Sequence, residues 1–245
     1  MIQTFRNKLK FALLDRWRIP HSQISGVPHC LFQRYRNSGP ISVIDIGAYK
    51  GQFTIGLDQL CRVKRAVLIE PNEGLVRAMR TDPSLSNFRI FDNAVSDFDG
   101  EIDMKIFPNA PDMSSALALD GSSAELTERT QGEAEIVRRP VRKLDTLLVG
   151  GQNDVIDIIK IDVQGLEHLV IAGATETLKR STAVYVEVSF RPLYEGSSVF
   201  HEIHSMMMKR GFIMSALELG YWSNSGELLQ CDVLFLNPSI PMRNA

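Results

Sequence analysis

Short runs of β-branched residues alternate with helix-like segments from residue 41 onward. Such alternation predicts βαβ units and a parallel sheet. The predicted strands are 41–46, 65–70, 88–95, 156–162 and 183–190. The predicted helices are 52–61, 73–81, 166–180 and 199–210. We therefore expect an α/β fold built on a mostly parallel sheet.

The pattern changes near the end of the chain. Two apolar runs, 211–218 and 228–237, flank the turn-forming residues SNSG at 223–226, which predicts an antiparallel hairpin at one edge of the sheet. Two more runs, 101–107 and 134–141, predict additional strands around a polar loop. No repeat or linker divides this part of the chain, so one domain is expected.

We divide the chain into an N-terminal helical extension, residues 1–40, and a domain at 41–245. The first twenty residues interleave apolar and basic side chains, a pattern typical of a basic amphipathic helix. Such a helix can lie on an anionic membrane surface or dock on the domain. We favour docking and keep peripheral membrane contact open. Lys8 and Lys10 interrupt any signal-peptide core, so none is expected.

Composition narrows the class of protein further. Of 245 residues, 44% are hydrophobic and 23% charged, which is typical of a soluble globular chain. The formal charge of −2 gives no general attraction to nucleic acid, and we expect no nucleic-acid partner. Cys30, Cys61 and Cys231 lack any CxxC, so neither disulfides nor a zinc site is indicated. A cytoplasmic location, with a possible membrane association, is expected.

The stretch VIDIGAYKGQF (43–53) predicts a strand, a glycine turn and a helix, a common nucleotide-binding arrangement. A phosphate-binding Walker loop would carry Lys and Ser or Thr after its last glycine, but Gln52 follows here. The dinucleotide fingerprint needs glycines at the third and sixth positions from Gly47, where Tyr49 and Gln52 stand. The turn therefore disfavours both nucleoside triphosphates and nicotinamide or flavin dinucleotides.

An acidic residue just before the first glycine, Asp45, suits a ligand with a cationic centre and an amino-acid part. Glu70 ends the second predicted strand, where a carboxylate can accept both ribose hydroxyls of an adenosine. S-adenosylmethionine fits this combination. Alternatively, both carboxylates make only local turn bonds. The predicted cofactor-binding residues are Asp45, Gly47, Ala48, Tyr49, Gly51, Phe53, Glu70, Pro71, Asn72, Asn93, Ala94 and Asp162.

Several motifs resemble those of the FkbM-type methyltransferases, over about residues 41–237. Beside VIDIGAYKGQF, they are VLIEPN (67–72), NAVSD (93–97), MSSAL (113–117), IIKIDVQGLEHLVIAGA (158–174), VEVSFRPLYEG (186–196) and LLQCDVLF (228–235). The resemblance implies a class I methyltransferase Rossmann-like sheet and O-methylation of hydroxyls, often on sugars. Three positions depart from the family pattern: Tyr49 stands where Asn is frequent, Gln164 where many members carry Glu, and His168 where the residue is usually apolar.

Methyl transfer to oxygen requires that a base take the hydroxyl proton or that a metal lower its pKa. Asp162 ends a central strand and, with Gln164, is our predicted acceptor site. Lys160 shares a face with Asp162, and we expect it to pair with Glu187 on the neighbouring strand. His201 is a reserve base. In the structural alternative, the pair only stabilises the fold and Asp162 caps a helix near residue 165.

Together these features predict an S-adenosylmethionine-dependent O-methyltransferase. Its expected acceptor is a sugar hydroxyl of a glycolipid, oligosaccharide or related glycoconjugate, either a small molecule or a lipid-linked glycan. No metal ligands are assigned, although a divalent metal stays open. Two alternatives remain: a nicotinamide-dependent oxidoreductase on the same sheet, which Tyr49 and Gln52 oppose, and a non-catalytic cofactor-binding module.

Overall fold

A computed structural model describes residues 27–121, 127, 130, 134–149 and 154–241. Ten strands lie within these ranges. They are β1 (Ile41–Ile46), β2 (Val63–Ile69), β3 (Arg89–Phe91), β4 (Ala94–Val95), β5 (Gly100–Ile106), β6 (Glu135–Arg142), β7 (Ile158–Ile161), β8 (Ala183–Ser189), β9 (Ile213–Leu219) and β10 (Gln230–Leu236).

Seven of these strands form the main sheet, in the order β3-β2-β1-β7-β8-β10-β9. Strands β1, β2, β3, β7 and β8 pair in parallel, whereas β10 is antiparallel to both β8 and β9. The predicted mostly parallel sheet with an antiparallel C-terminal hairpin is confirmed. The strand order reverses between β1 and β7, and in open α/β sheets ligands bind at the carboxyl ends of such strands.

Helices cover both faces of this sheet. They are α1 (His29–Tyr35), α2 (Gln52–Cys61), α3 (Glu73–Thr81), α4 (Leu144–Leu147), α5 (Glu167–Ala172), α6 (Thr175–Lys179) and α7 (Phe200–Lys209). Because side chains alternate along a strand, Val43 packs towards α1, α2 and α3, while Ile44 packs towards α4 to α7. Both faces of the parallel strands are therefore buried, as their continuous apolar runs predict.

Two predicted elements are each divided in the structure. The predicted strand 88–95 becomes β3 in the main sheet and β4 in a separate three-stranded sheet, ordered β4-β6-β5. The predicted helix 166–180 becomes α5 and α6, because the chain at Gly173 passes so close to Ser96 that a Cβ would lie 2.0 Å from its carbonyl oxygen. The two extra strands predicted around the polar loop are confirmed as β5 and β6.

The described part of the N-terminal extension packs onto the domain. Leu31, Phe32 and Tyr35 of α1 are buried, and the Tyr35 hydroxyl donates a hydrogen bond to the Asp157 carbonyl at 2.8 Å. The basic amphipathic segment at residues 1–20 lies outside the described residues. None of the helices in the described ranges is long and apolar enough to cross a membrane.

Candidate functional site

A cavity of about 470 Å³ lies at the carboxyl ends of β1, β2 and β7. This is the place where the strand order reverses. The predicted site residues that line it are Gly47, Ala48, Tyr49, Phe53, Glu70, Pro71, Asn93, Ala94, Lys160, Asp162 and Glu187. The strand order thus brings most of the predicted site into one cavity.

Gly47 is required by a close approach of two strand ends. Its φ is +72°, and a Cβ at this position would lie 1.7 Å from the carbonyl oxygen of Asp162. The Asp162 amide in turn donates to the Ile46 carbonyl at 3.1 Å. A side chain at residue 47 would therefore push apart the ends of β1 and β7 and close the floor of the cavity.

Two predicted cofactor-binding residues serve the fold instead. Gly51 has a φ of +74°, and a Cβ there would lie 2.6 Å from the side chain of Leu85, so this glycine allows tight packing before α2. Asn72 caps α3, since its side chain accepts hydrogen bonds from the amides of Gly74 and Leu75. Neither residue is among those that line the cavity.

Glu70 is held at the cavity wall by backbone donors. Its two carboxyl oxygens accept the amides of Tyr49 and Asn72, each at 2.9 Å. A carboxylate has about four acceptor positions, so two remain for a ligand. Burial raises the pKa of Glu70 to about 7. This arrangement leaves Glu70 able to accept the two hydroxyls of a ribose, as predicted.

Asp45 lies beneath the cavity rather than in its wall. It is fully buried, and the Thr54 hydroxyl donates to its Oδ2 at 2.8 Å. The Lys160 ammonium lies 3.8 Å from Oδ1. Burial raises the pKa of Asp45. Asp45 is not among the residues that line the cavity, and its carboxylate supports Lys160 from below.

The predicted ion pair between Lys160 and Glu187 is wrong. The Lys160 ammonium lies 3.1 Å from Oδ2 of Asp162 and donates to the Gly47 carbonyl at 3.1 Å. Burial favours its neutral form, but the carboxylates of Asp162 and Asp45 outweigh this and raise its pKa. A charged lysine therefore joins the glycine turn to the predicted acceptor carboxylate.

Gln164 occupies the position between two carboxylates. Its amide nitrogen donates to Oδ1 of Asp162 at 2.8 Å and to Oε2 of Glu187 at 3.0 Å. Its amide oxygen accepts the hydroxyl of Tyr194 at 2.9 Å. Burial and repulsion from Asp162 raise the pKa of Glu187 well above its usual value. A glutamate at residue 164 would place a third carboxyl here, whereas glutamine satisfies the other two.

His201, the predicted reserve base, is exposed on α7 and is not among the residues that line the cavity. The structural alternative for Asp162 does not hold. Asp162 does not cap α5; the carboxylate of Glu167 instead accepts the amides of Val163 and Gly165. These contacts leave Asp162 directed to Lys160 and Gln164.

Tyr185, Gln230 and Asp232 are among the polar residues that line the cavity but are absent from the predicted site. Gln230 donates to Oε2 of Glu187 at 2.8 Å, and Asp232 stands opposite Glu187 across the β8–β10 pair. The signal in the sequence is their period of two within an apolar strand, which places both side chains on one face.

Residues 45–214 match the methyltransferase FkbM domain. The chain belongs to the FkbM methyltransferase family. It is 32% identical over 161 residues to the 2-O-methyltransferase NoeI of Sinorhizobium fredii, an alignment that covers 63% of this chain and 65% of that protein. The chain thus spans about 65% of the length of this curated relative.

A solved structure shows the same fold at low sequence identity. A candidate S-adenosylmethionine-dependent methyltransferase from Listeria monocytogenes aligns with a TM-score of 0.50 and 7% identity, over 85% of this chain and 96% of that one. The methyltransferase FkbM of Methylobacillus flagellatus aligns with a TM-score of 0.48 and 12% identity, over 84% and 50% respectively.

S-adenosylmethionine is the cofactor that the sequence predicts for this chain. The residues present fit it. Glu70 keeps free acceptor positions for the ribose, and the missing side chain at Gly47 leaves room above the turn for the methionine part. Asn93 and Ala94 line the cavity where we expect the adenine.

Proposed function

We propose that this chain transfers a methyl group from S-adenosylmethionine to a sugar hydroxyl of a glycolipid, oligosaccharide or related glycoconjugate. The observation that carries the proposal is the polar cluster of Asp162, Gln164 and Glu187, which lies directly beside the Gly47 turn. The name of the relative NoeI, a 2-O-methyltransferase, supports oxygen as the acceptor atom.

The chemistry requires a positioned acceptor and a base. S-adenosylmethionine supplies an electrophilic methyl group when bound. Asp162 accepts the acceptor's hydroxyl proton as the new carbon–oxygen bond forms and the carbon–sulfur bond breaks, with its electron pair going to the sulfur. Lys160 and Gln164 each contact one oxygen of this carboxylate, at 3.1 Å and 2.8 Å, and so fix its orientation. Positioning of this kind removes much of the entropic barrier to a bimolecular transfer.

Asp162 is a better base than Glu187 for two reasons. It follows β7, the strand next to the one that leads into the Gly47 turn, whereas Glu187 lies one strand farther away. Burial and the neighbouring carboxylate of Asp162 also raise the pKa of Glu187, which favours its protonated form. A protonated carboxyl can donate a hydrogen bond to the acceptor but cannot remove its proton.

Membership in a methyltransferase family contradicts the nicotinamide-dependent alternative. A non-catalytic role is separated from catalysis by experiment. Purified protein is incubated with methyl-labelled S-adenosylmethionine and fractionated glycolipid and oligosaccharide extracts. We expect label in a carbohydrate fraction. Cofactor binding without transfer to any fraction would contradict the sugar acceptor, and no transfer at all would favour the binding module.

The role of Asp162 is tested with the substitution Asp162→Asn, which keeps the shape and removes the basicity. Loss of a general base costs about a hundredfold to ten-thousandfold in rate. We expect a fall of this size with little change in the affinity for S-adenosylhomocysteine. The matched control is Asp103→Asn, because Asp103 is exposed and bonds only to Arg138 on the second sheet. Normal turnover of Asp162→Asn would show that the base lies elsewhere.

A lipid-linked acceptor would bring the protein to a membrane surface, and the basic segment at residues 1–20 supports this extension of the proposal. We expect the full chain to sediment with vesicles that contain phosphatidylserine, and a chain lacking residues 1–20 to stay in solution. Equal sedimentation of both would contradict membrane contact through this segment.

Whether a divalent metal takes part is tested separately by adding a chelator to the enzyme. Inhibition that added magnesium reverses would show that the reaction needs a metal.

A further inference from the structure

The order of the main sheet lays out the polar groups of the cavity in a row. Glu70 follows β2, Gly47 follows β1 and Asp162 follows β7, while Glu187 lies on β8 and Asp232 on β10. Neighbouring strands are roughly 4.8 Å apart, so β10 lies about 14 Å from β1. The residues that fit the cofactor form the first part of this row. The last part, on β8 and β10, lies beyond them.

The far end of the cavity contains a buried hydroxyl without a partner. Tyr185 is only 3% exposed, and its hydroxyl lies near the carboxylate of Asp232 but makes no hydrogen bond of normal geometry with the described residues. Leaving a buried hydroxyl unpaired is costly. Tyr185 lines the cavity, and its ring stacks on Phe53 with 6.1 Å between centroids. A ligand hydroxyl could supply the missing partner.

The same end is rich in acceptors. Oε2 of Glu187 accepts the amides of Gln164 and Gln230, but none of the described residues donates to Oε1. Asp232 stands directly opposite Glu187 in the antiparallel pair, so the two carboxyl groups share one face of the sheet. Sugar hydroxyls can donate to these oxygens and accept from the Tyr185 hydroxyl, because each hydroxyl has both capacities.

The charged side chains of the cavity restrict which ligands can bind at its β8–β10 end. The carboxylates among the lining residues are Glu70, Asp112, Asp162, Glu187 and Asp232. Lys160 is the ammonium among the described lining residues, and it already contacts Asp162 and Asp45. A carboxylate or phosphate on the acceptor would therefore meet several acidic side chains and no free cation among the described lining residues, which is unfavourable.

We propose that Tyr185, Glu187, Gln230 and Asp232 form an acceptor subsite that binds an uncharged, hydroxyl-bearing sugar residue and rejects an anionic one. The inference rests on the proposed function and narrows it, since it names the charge class of the acceptor. It also assigns a role to three residues outside the methyl-transfer step: Tyr185 and Gln230 orient hydroxyls, and Asp232 accepts from one.

The first experiment measures sugar binding directly. The full chain, saturated with S-adenosylhomocysteine, is titrated with the methyl glycosides of glucose, galactose and mannose and with the corresponding uronic acid glycosides, followed by saturation-transfer NMR. We expect at least one uncharged glycoside to bind, and its uronate to bind at least about tenfold more weakly. Equal binding of a glycoside and its uronate, or no binding of any uncharged glycoside, would overturn the subsite.

Variants then locate the effect. Asp232→Asn should reduce the discrimination between glycoside and uronate by about tenfold, and Tyr185→Phe should weaken binding of the uncharged glycoside to a similar extent. Neither should change the affinity for S-adenosylhomocysteine. Unchanged glycoside binding and discrimination in both variants would contradict the assignment.

The melting temperature of Tyr185→Phe provides a further test. Because the Tyr185 hydroxyl has no partner, its removal should leave the melting temperature of the ligand-free protein unchanged or higher. The control Tyr35→Phe removes a hydroxyl that donates to the Asp157 carbonyl, so it should lower the melting temperature and leave glycoside binding intact. A drop in melting temperature for Tyr185→Phe as large as that for Tyr35→Phe would mean that the hydroxyl is structural.

The inference and the proposed function fail in different ways. If labelled methyl reaches a carbohydrate fraction but uncharged and anionic glycosides bind alike, the subsite is wrong and the methyl transfer stands. If glycosides bind with the expected discrimination but no carbohydrate accepts label, the sugar O-methyltransferase assignment is wrong and the subsite stands.

Discussion

The two ends of the cavity are built in different ways. At the cofactor end, the polar groups are held by backbone contacts: Glu70 accepts two amides, and Gly47 lets the end of β1 touch that of β7. At the acceptor end, side chains contact side chains, as where Gln164 and Gln230 both donate to Glu187. A backbone-held end suits one invariant ligand, whereas a side-chain end can change its specificity by substitution.

The two ends of the cavity also differ in how far apart their residues lie in the sequence. The residues that fit the methionine part and the ribose lie within two adjoining strand–turn–helix segments, from Gly47 to Glu70. The acceptor end joins Asp162, Glu187 and Asp232, which come from three strands widely separated along the chain. The cofactor end should therefore fail through changes in the backbone, and the acceptor end through single changes of charge or hydrogen bonding.

The largest expected effect is that of Gly47→Ala at the cofactor end. The added Cβ would overlap the Asp162 carbonyl, so the ends of β1 and β7 must separate. Core strain of this kind costs about 3–5 kcal/mol, among the largest effects of single substitutions. We expect loss of S-adenosylhomocysteine binding and a clearly lower free energy of unfolding, measured by calorimetry and urea denaturation.

The matched control is Gly211→Ala. Gly211 has a φ of +84°, but a Cβ there would meet nothing within 4 Å. Only the cost of the left-handed backbone remains, about 1–2 kcal/mol. Cofactor binding should survive. Equal effects of the two substitutions would mean that backbone conformation, and not the contact between β1 and β7, makes Gly47 necessary.

The next largest effect is on pH dependence. The stability of the ligand-free protein and the affinity for the cofactor should change with pH in opposite directions. Burial raises the pKa values of Glu70 and Glu167 from 4.5 to about 7. The folded protein thus binds these protons more tightly than the unfolded chain. The stability from both groups is fully present below about pH 4.5 and is lost as the pH rises through 7.

Cofactor binding should show the opposite trend. If the ionised Glu70 accepts the ribose hydroxyls, affinity for S-adenosylhomocysteine should fall by up to about tenfold for each pH unit below 7. Burial has the largest effect on the Glu70 pKa, which the Lys160 ammonium lowers and the Asp162 carboxylate raises. Glu70→Gln should weaken binding and flatten this dependence. A pH profile unchanged by Glu70→Gln would show that the ribose is held by another residue.

The smallest effect concerns Tyr49, which has a φ of +53°. A left-handed conformation costs roughly 1–2 kcal/mol for most residues and less for asparagine. Tyr49→Asn should therefore raise the melting temperature by about 2–4 °C. Arg62→Asn is the comparison, because Arg62 is exposed with a φ of +62° and lies outside the cavity. If only Arg62→Asn stabilises the protein, the Tyr49 side chain makes compensating contacts.

Local signals in the sequence determined the cofactor end and the fold class. The residues of the strand–glycine–helix segment around Gly47 are neighbours in the sequence and are also neighbours in the folded protein. The alternation of strands and helices likewise predicts a parallel sheet, because each element must bury one apolar face or stripe. Glu70 could be placed on this basis, since it simply ends the next strand.

Tertiary structure alone decided the partners of the buried charges. Lys160 has carboxylates on two neighbouring strands within reach in any plausible sheet, and it bonds to Asp162 and Asp45 because the ends of β1 and β7 meet at Gly47. Asp232 enters the site only because β10 runs antiparallel beside β8, which sets it opposite Glu187. Pairing and register across a sheet arise from the packing of distant segments, and no local pattern along the chain encodes them.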